Sequence, residues 1–108
     1  MNNKFIYLIN QEDTQYYKIG ITKKDPQLRL EELQIGNAEN LKLIFHFETK
    51  FSFKLETALH KHFKSERKKS EWFELTKEQV DSFLKTCEFF ENTFTYLKNN
   101  STLKKFIF

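Results

Sequence analysis

The sequence predicts an α+β domain in which helices flank a small antiparallel sheet of three strands plus a short fourth strand. Three observations predict this class. The segments read in the order β-β-α-β-α-β-α, apolar residues recur at helical spacing in the later segments, and 39% of residues are hydrophobic and 17% aromatic. In such a layered domain one face of the sheet and one stripe of each helix are buried. A length of 108 residues is enough for one domain of this kind.

Two β-rich runs open the chain. Residues 4–10 and 15–22 are rich in Ile and Tyr, which favour strands. The polar residues 11–14 between them are typical of a turn. An antiparallel hairpin is therefore expected.

The next segment carries start and stop signals for a helix. Asp25 precedes Pro26, and Asp is a good helix cap while Pro suits the first turn. The helix is expected to run to about Ile35 and to stop at Gly36-Asn37. Three leucines are expected to anchor it, namely Leu28, Leu30 and Leu33.

A third strand and a second helix are predicted next. Residues 40–49 are rich in Leu, Ile and Phe and alternate only weakly, as in a largely buried strand. Residues 50–70 hold most of the basic excess, with seven basic and two acidic residues. Their apolar residues recur at helical spacing, so the lysines are expected on the opposite, solvated face. The apolar residues are Phe51, Leu55, Ala58, Leu59 and Phe63.

A short strand and a last helix complete the prediction. Residues 71–75 resemble a short strand, and Thr76 followed by Gln79 is a capping-box signature. The apolar stripe of the last helix is Val80, Phe83, Leu84, Cys87, Phe90, Phe94 and Leu97. We predict a single domain over residues 1–98, with its extra helix at 76–98. A tail follows over 99–108, and its end, Phe106-Ile107-Phe108, is suited to docking on the domain or on a partner.

Composition excludes several classes of protein. A net charge of +3 is too small for a polycationic nucleic-acid coat, and one cysteine excludes an internal disulfide. No apolar window approaches the length that crosses a bilayer, and the first residues do not resemble a secretory signal. A cytoplasmic, reducing location is therefore expected.

Common enzyme signatures are also absent from the sequence. There is no GxSxG motif, and with only Gly20 and Gly36 there is no glycine-rich phosphate loop. His46, His60, His62 and Cys87 lack the spacing of a structural zinc site. Cys87 is expected in the core, and His62 on the surface.

Five short motifs remain, and their order resembles a known family. They are Phe5-Ile6-Tyr7, Lys18-Ile19-Gly20, Arg29, Leu55-Glu56-Thr57-Ala58-Leu59-His60 and Glu71-Trp72-Phe73. This series resembles the GIY-YIG nuclease superfamily, and in particular its branch of small phage, viral and bacterial proteins with KIG-x-T, E-x-x-L-H and EWF motifs. The resemblance covers about residues 4–76 and implies a GIY-YIG-like fold. It also implies a metal-dependent endonuclease that hydrolyses phosphodiester bonds of DNA.

The resemblance implies a role for each residue of the first half of the site. Tyr7 would help to activate the attacking water, and Lys18 would stand in the position of a second tyrosine. A phenol has a pKa near 10, so Lys18 is expected to lower the pKa of Tyr7. Arg29 would hold the scissile phosphate with its planar donors. Gly20 would let the backbone come close to phosphate or to the first helix.

The resemblance assigns the metal to the second half of the site. Glu56 would bind Mg²⁺ or Mn²⁺, and His60, one helical turn later, would donate to phosphate or carry a proton. Glu71 would help the metal or fix the turn. Contacts with the DNA backbone are expected from Lys54, Lys61, Lys64, Arg67, Lys68 and Lys69.

Structural roles are open alternatives for these residues. Tyr7 could be a core aromatic, Arg29 could pair with Glu31 or Glu32 on the surface, and His60 could pack under Trp72 and Phe73. Glu56 could be a solvated helix residue that pairs with lysines. At the level of function, the alternatives are a catalytically inactive nucleic-acid-binding module of the same fold and a protein-interaction adaptor. Target sequence and oligomeric state do not follow from the sequence.

Overall fold

The computed structural model describes residues 4–100, which form an α+β domain around a five-stranded antiparallel sheet. The strand order is β3-β1-β2-β5-β4. The strands are β1 (Lys4–Gln11), β2 (Tyr16–Thr22), β3 (Leu41–Thr49), β4 (Arg67–Lys69) and β5 (Trp72–Glu74), and the helices are α1 (Pro26–Ile35), α2 (Ser52–His62), α3 (Lys77–Asp81) and α4 (Phe83–Lys98). The α+β class is confirmed, but the sheet is larger than the three or four strands predicted.

The predicted hairpin of β1 and β2 is confirmed. Its turn is held by side chains as well as by the backbone. The Asn10 amide donates to the backbone oxygens of Thr14 and Tyr16 at 3.1 and 3.0 Å. The Thr14 hydroxyl donates to the Gln11 carbonyl at 2.6 Å. These bonds satisfy turn groups that would otherwise need water.

Helix α1 begins and ends as predicted, but its leucines are placed differently. The Asp25 carboxylate accepts a hydrogen bond from the Gln27 backbone N–H at 2.8 Å, and Gly36 caps the other end. The prediction that Leu28 anchors the helix is wrong, since Leu28 is 53% exposed. At about 100° per residue, Leu28 lies opposite Leu30 and Leu33, which are half-buried. One helix cannot present both sides to the same sheet.

The prediction that the third strand is largely buried is also wrong. Strand β3 lies at the edge of the sheet and pairs only with β1. Among its residues only Thr49 is buried. An edge strand has one neighbour instead of two, so its side chains keep contact with solvent.

The main core lies between one face of the sheet and helices α2 and α4. Leu55, Leu59 and Phe63 of the α2 stripe are buried as predicted. They belong to one cluster with strand residues and with residues of the later helices, namely Ile6, Leu8, Ile19, Phe73, Leu75, Val80, Phe83 and Cys87. Ala58 and Phe51 of the predicted stripe are half-buried. Cys87 is fully buried in this cluster, as predicted, and burial raises the pKa of its thiol to about 12.

The predicted last helix is divided into two. The capping box at Thr76 and Gln79 is present in both directions. However, α3 ends at Asp81, and the hydroxyl of the capping residue Ser82 donates to the Glu78 carbonyl at 2.9 Å. A serine that bonds back to the preceding turn competes with the helix ladder and bends the chain.

The basic segment also changes structure partway along. Helix α2 stops at His62, a 3₁₀ turn spans Lys64–Glu66, and β4 follows. Strand β4 was not predicted, because three consecutive basic residues give no apolar alternation. The tail with Phe106-Ile107-Phe108, and its predicted docking, lie outside the described residues. Between residues 4 and 100, no helix has both the length and the apolar character that crossing a bilayer requires.

Candidate active site

The Tyr7 side chain lies on the sheet face opposite the main core. In the β1–β2 pair Tyr7 is opposite Gly20, and strand alternation places Lys18 on that same face. The neighbours Ile6, Leu8 and Ile19 belong to the core on the other face. Tyr7 itself is 1% exposed, so β1 places a buried phenol near the centre of the sheet.

Gly20 makes space for this phenol. A Cβ atom at position 20 would lie 2.5 Å from Tyr7 Cζ and in closer contact still with Tyr7 Oη. The ring therefore lies directly over β2, and only glycine leaves room for it. The sequence predicted that Gly20 would admit phosphate or the first helix, but the Tyr7 ring occupies that space.

Tyr7 and Arg29 are joined by a side-chain hydrogen bond. A guanidinium group can only donate, so the phenol oxygen accepts and keeps its own proton to donate elsewhere. Burial is the main cause that raises the pKa of Tyr7, and the nearby carboxylates of Glu71 and Glu56 raise it further, while Arg29 lowers it. Tyr7 is therefore a neutral phenol near neutral pH.

This result corrects the expected action of Lys18. Lys18 was expected to lower the pKa of Tyr7, but that pKa is raised, and Arg29 is the cation that opposes the rise. Lys18 is paired instead with Glu71, at 3.0 Å between Nζ and Oε1. A lysine neutralised by a carboxylate stabilises a phenolate much less than a lone lysine would.

Arg29 has a second partner on its own helix. Its Nη1 donates to Glu32 Oε1 at 3.1 Å, so the surface pair with Glu32 is present together with the Tyr7 contact. Lys24 also pairs with Glu32. The hydrogen bond to Tyr7 and then the one to Glu32 raise the pKa of Arg29. Arg29 is a permanently charged group held from two sides, and its five N–H donors exceed these two acceptors.

Glu71 is fixed by the pairing of β2 with β5. Lys18 lies opposite Trp72 in the sheet register, and its ammonium is 5.9 Å from the centre of the Trp72 ring. The Ile19 backbone N–H donates to the Glu71 carbonyl at 3.1 Å. The loop before β5 therefore holds the Glu71 carboxylate beside Lys18.

Glu56 lies on α2, half-buried and within electrostatic range of the same groups. Burial is the main cause that raises the pKa of Glu56, and the Glu71 carboxylate raises it further, while His60 and Lys18 lower it. We call Glu56, Glu71, Lys18 and His60 the carboxylate cluster. It contains two acids that repel each other and two basic side chains that moderate this repulsion.

His60 is oriented by the backbone of β2. Its Nε2 lies 2.9 Å from the Ile19 carbonyl oxygen. Because a carbonyl only accepts, Nε2 carries the proton, and Nδ1 is the acceptor of the neutral ring. The ring also packs on Phe73, with 5.1 Å between centroids, which is one of the two contacts that the structural alternative for His60 requires.

The donor set fits a weakly held divalent ion better than a closed metal site. Within the described part of the chain, no group of three or more His, Cys, Asp or Glu side chains is arranged to hold a metal. Glu56 and Glu71 are nevertheless suitable for Mg²⁺, which is often bound by one or two carboxylates and keeps several waters. A cation would also relieve the repulsion that raises the pKa of Glu56.

The basic residues expected to contact DNA are distributed over three elements. All six are exposed, but Lys54 and Lys61 lie on α2, Lys64 on the 3₁₀ turn, and the last three form β4. Two residues of β4 have intramolecular partners. Arg67 Nε donates to the Ser70 carbonyl at 2.5 Å, and Lys68 pairs with Glu74 at 3.2 Å.

One further surface was not predicted from the sequence. Phe53 is 75% exposed and lines an open groove of about 560 Å³ between α2 and α4. The signal was present in the helical phase, because Phe53 is an aromatic residue that does not fall on the buried stripe of α2.

These features define an α+β domain with a polar cluster beside a central buried phenol. The T5orf172 domain model matches residues 4–88, and the chain belongs to this family. The resemblance to the GIY-YIG superfamily is therefore wrong, because the family that matches most of the chain is a different one. Short motifs with many permitted residues between them can match by spacing alone. No curated protein and no solved structure is similar enough to the chain to match it.

Proposed function

We propose that this domain is a metal-dependent endonuclease that hydrolyses phosphodiester bonds of DNA. The observation that carries the proposal is the combination of an arginine held by a buried tyrosine with two mutually repelling carboxylates close to that tyrosine. Phosphodiester hydrolysis needs fixed positive charge for the phosphate and an acidic site for a cation. The Arg29 guanidinium and the carboxylates of Glu56 and Glu71 all lie close to the Tyr7 side chain.

Arg29 is the proposed phosphate ligand. Tyr7 and Glu32 hold two of its donors, which leaves further N–H groups in a fixed plane for phosphate oxygens. In this proposal Tyr7 is a neutral phenol that accepts a hydrogen bond from Arg29 and so positions it. The raised pKa of Tyr7 makes it a poor base near neutral pH.

Glu56, helped by Glu71, is the proposed ligand for Mg²⁺ or Mn²⁺. When bound, such an ion polarises the phosphate and stabilises the leaving oxygen. Lys18 keeps Glu71 in place through their ion pair at 3.0 Å. Glu56 and Glu71 would hold the ion, and the Lys18 ammonium beside Glu71 would contact a phosphate oxygen.

His60 is the proposed proton acceptor for the attacking water. Its Nε2 is committed to the Ile19 carbonyl, so Nδ1 is the nitrogen that can take a proton. The hydrogen bond at Nε2 fixes both the tautomer and the ring orientation. Such an orienting bond is what a general base needs.

Supercoiled plasmid with Mg²⁺ or Mn²⁺ tests the proposal. The wild type should relax or linearise the plasmid. Glu56→Gln should lower the rate at least about 100-fold, since even changes around metal ligands cost 10- to 100-fold. Arg29→Ala should lower it about 100- to 1000-fold, and Arg29→Lys should not restore it, because lysine lacks the planar fork.

Glu88→Gln is the matched control, since Glu88 is an exposed acid on α4. Its rate should equal that of the wild type. Binding of DNA without cleavage in either metal would contradict the endonuclease and support the inactive nucleic-acid-binding module instead. Absence of both binding and cleavage would contradict both and favour an adaptor.

A further inference from the structure

The groove between α2 and α4 combines aromatic surface with positive charge. It is lined by Phe53, Lys54, Thr57, Ala58, Lys61 and Phe94. A second depression of about 200 Å³ continues it past Phe53 towards Lys50. Neither depression has an acidic residue among its lining residues. The surface is therefore complementary to a polyanion that also presents flat apolar groups.

Phe53 is the distinguishing feature of this surface. The ring is 75% exposed and lies in the first turn of α2, with Lys54 next to it and Lys50 three residues before it. Unpaired bases stack on such aromatic rings, while lysines next to them contact the phosphates. A base pair inside a duplex cannot offer its flat face in this way.

The groove and the carboxylate cluster are on different flanks of the same helix. At about 100° per residue, the Phe53 side chain lies roughly 60° from Glu56 around the axis of α2. Lys61 lies roughly 140° from Glu56 in the same direction. Leu55 and Leu59 occupy the remaining, buried side. A strand lying across the exposed side of α2 would therefore reach from the groove to Glu56.

We propose that this groove binds single-stranded nucleic acid, with bases stacked on Phe53 and phosphates contacted by Lys50, Lys54 and Lys61. The inference rests on the nucleic-acid substrate of the proposed function, but not on cleavage. It narrows that substrate to an unpaired strand, or to DNA with an unpaired segment.

Binding of a fluorescent 12-nucleotide oligothymidylate, measured by anisotropy in EDTA, tests the groove. Phe53→Ala should weaken binding between about fivefold and a hundredfold, the range of one base stack. The matched control is Phe89→Ala, since Phe89 is 65% exposed on α4 and lies outside the groove, and its affinity should not change. Lys61→Gln should reduce the slope of log K against log salt by about 0.7, the value for one phosphate of a single strand.

Photocrosslinking with 5-iododeoxyuridine in the oligonucleotide gives the location directly. Crosslinks at Phe53 support the inference, and crosslinks only elsewhere overturn it. The inference is also overturned if the Phe53→Ala and Phe89→Ala variants bind the oligonucleotide with equal affinity. It is overturned as well if a duplex of equal length, or a 12-residue polyglutamate peptide, binds as tightly as the oligonucleotide. Because these measurements need no metal, Phe53-dependent binding without plasmid cleavage would reject the endonuclease alone. Cleavage that is unaffected by Phe53→Ala would reject the groove alone.

Discussion

The two faces of the sheet differ in how they are held and in what they carry. On one face, α2 and α4 bury a continuous cluster that includes Leu59 and Phe83. On the other face, α1 buries only Pro26 among its ten residues and leaves Ile35 88% exposed. The first face has the larger apolar cluster, whereas the second face combines a smaller apolar set, in which Ile9 is fully buried, with caps and polar contacts.

The residues proposed for the chemistry lie outside the buried cluster that stabilises the fold. Arg29 lies on the weakly packed helix and is held by Tyr7 and Glu32, so its position depends on hydrogen bonds. Glu56 and His60 lie on the well-packed helix but beside its buried stripe. The carboxylate cluster is therefore supported by the buried stripe of α2, whereas Arg29 is placed by its hydrogen bonds to Tyr7 and Glu32.

The largest effect is expected from Phe83→Ala. Phe83 is fully buried and stacks with Phe45 and Phe63, with ring centroids 6.5 and 6.4 Å apart. Its removal leaves a cavity between the sheet and both helices, so the free energy of unfolding should fall by about 3–5 kcal/mol. Urea unfolding followed by circular dichroism measures it.

Phe89→Ala is the control for that change, because the same side chain is removed from an exposed position of the same helix. Its effect should stay within about 0.5 kcal/mol. Equal losses for the two variants would contradict the position of Phe83 in the buried cluster between the sheet and α4.

The sequence predicted best what depends on local chemistry. The Asp25 cap, the hairpin and the Thr76 capping box all formed as predicted, because each depends on residues a few positions apart. The buried residues Leu55, Leu59 and Phe63 of the predicted stripe were also predicted correctly, since the helical period fixes one face.

The sequence failed where the answer depends on partners distant in the chain. That β3 is an edge strand follows only from the strand order, and that Leu28 points away from the sheet follows from where α1 docks. In the site, the residue types suggested Tyr7, Arg29 and Glu56 together, but not that Tyr7 would be buried with a raised pKa. Burial depends on the whole fold, so the spacing of motifs along the sequence could not predict it.

A moderate effect is expected from Gly20→Ala, which tests the centre of the polar face. The new Cβ would lie 2.5 Å from Tyr7 Cζ, so the ring must shift and its contact with Arg29 must change. Such overpacking costs about 1–3 kcal/mol of stability. Thermal unfolding and the plasmid assay should both show losses.

Gly36→Ala is the matched control for this change. A Cβ at position 36 meets nothing within 4 Å, and its φ of −94° suits alanine. Stability should therefore stay equal or rise by about 0.4–1 kcal/mol. A Gly20→Ala variant as stable as Gly36→Ala would show that the Tyr7 ring is not held against β2.

A smaller effect, of opposite sign, is expected from Glu56→Gln. The pKa of Glu56 is raised in the fold, so its contribution to stability is fully present below the unfolded pKa of about 4.3 and is lost as pH rises through the folded pKa. At pH 7 the charged Glu56 is therefore unfavourable, and Glu56→Gln should raise the melting temperature while abolishing cleavage. The gain should vanish below about pH 4.

Glu32→Gln gives the contrast on the other helix. The pKa of Glu32 is lowered, mainly by Lys24 and then by Arg29. Its stabilising effect is present above the unfolded pKa and is lost as pH falls through the folded pKa, so Glu32→Gln should lower the melting temperature at pH 7, or leave it unchanged. A gain in stability from Glu32→Gln, or a loss from Glu56→Gln, would mean that the two acids are not in the surroundings described.

The smallest effect is expected from Leu28→Ala, at the residue the sequence marked as an anchor. With Leu28 53% exposed, its truncation should change the free energy of unfolding by no more than about 0.5 kcal/mol. Leu59→Ala, the same change at a fully buried position, should cost about 2–5 kcal/mol. If Leu28→Ala costs as much as Leu59→Ala, the outer side of α1 must be covered in solution. Sedimentation of the wild type at increasing concentration would then show whether a second copy covers it, because burial by association depends on protein concentration.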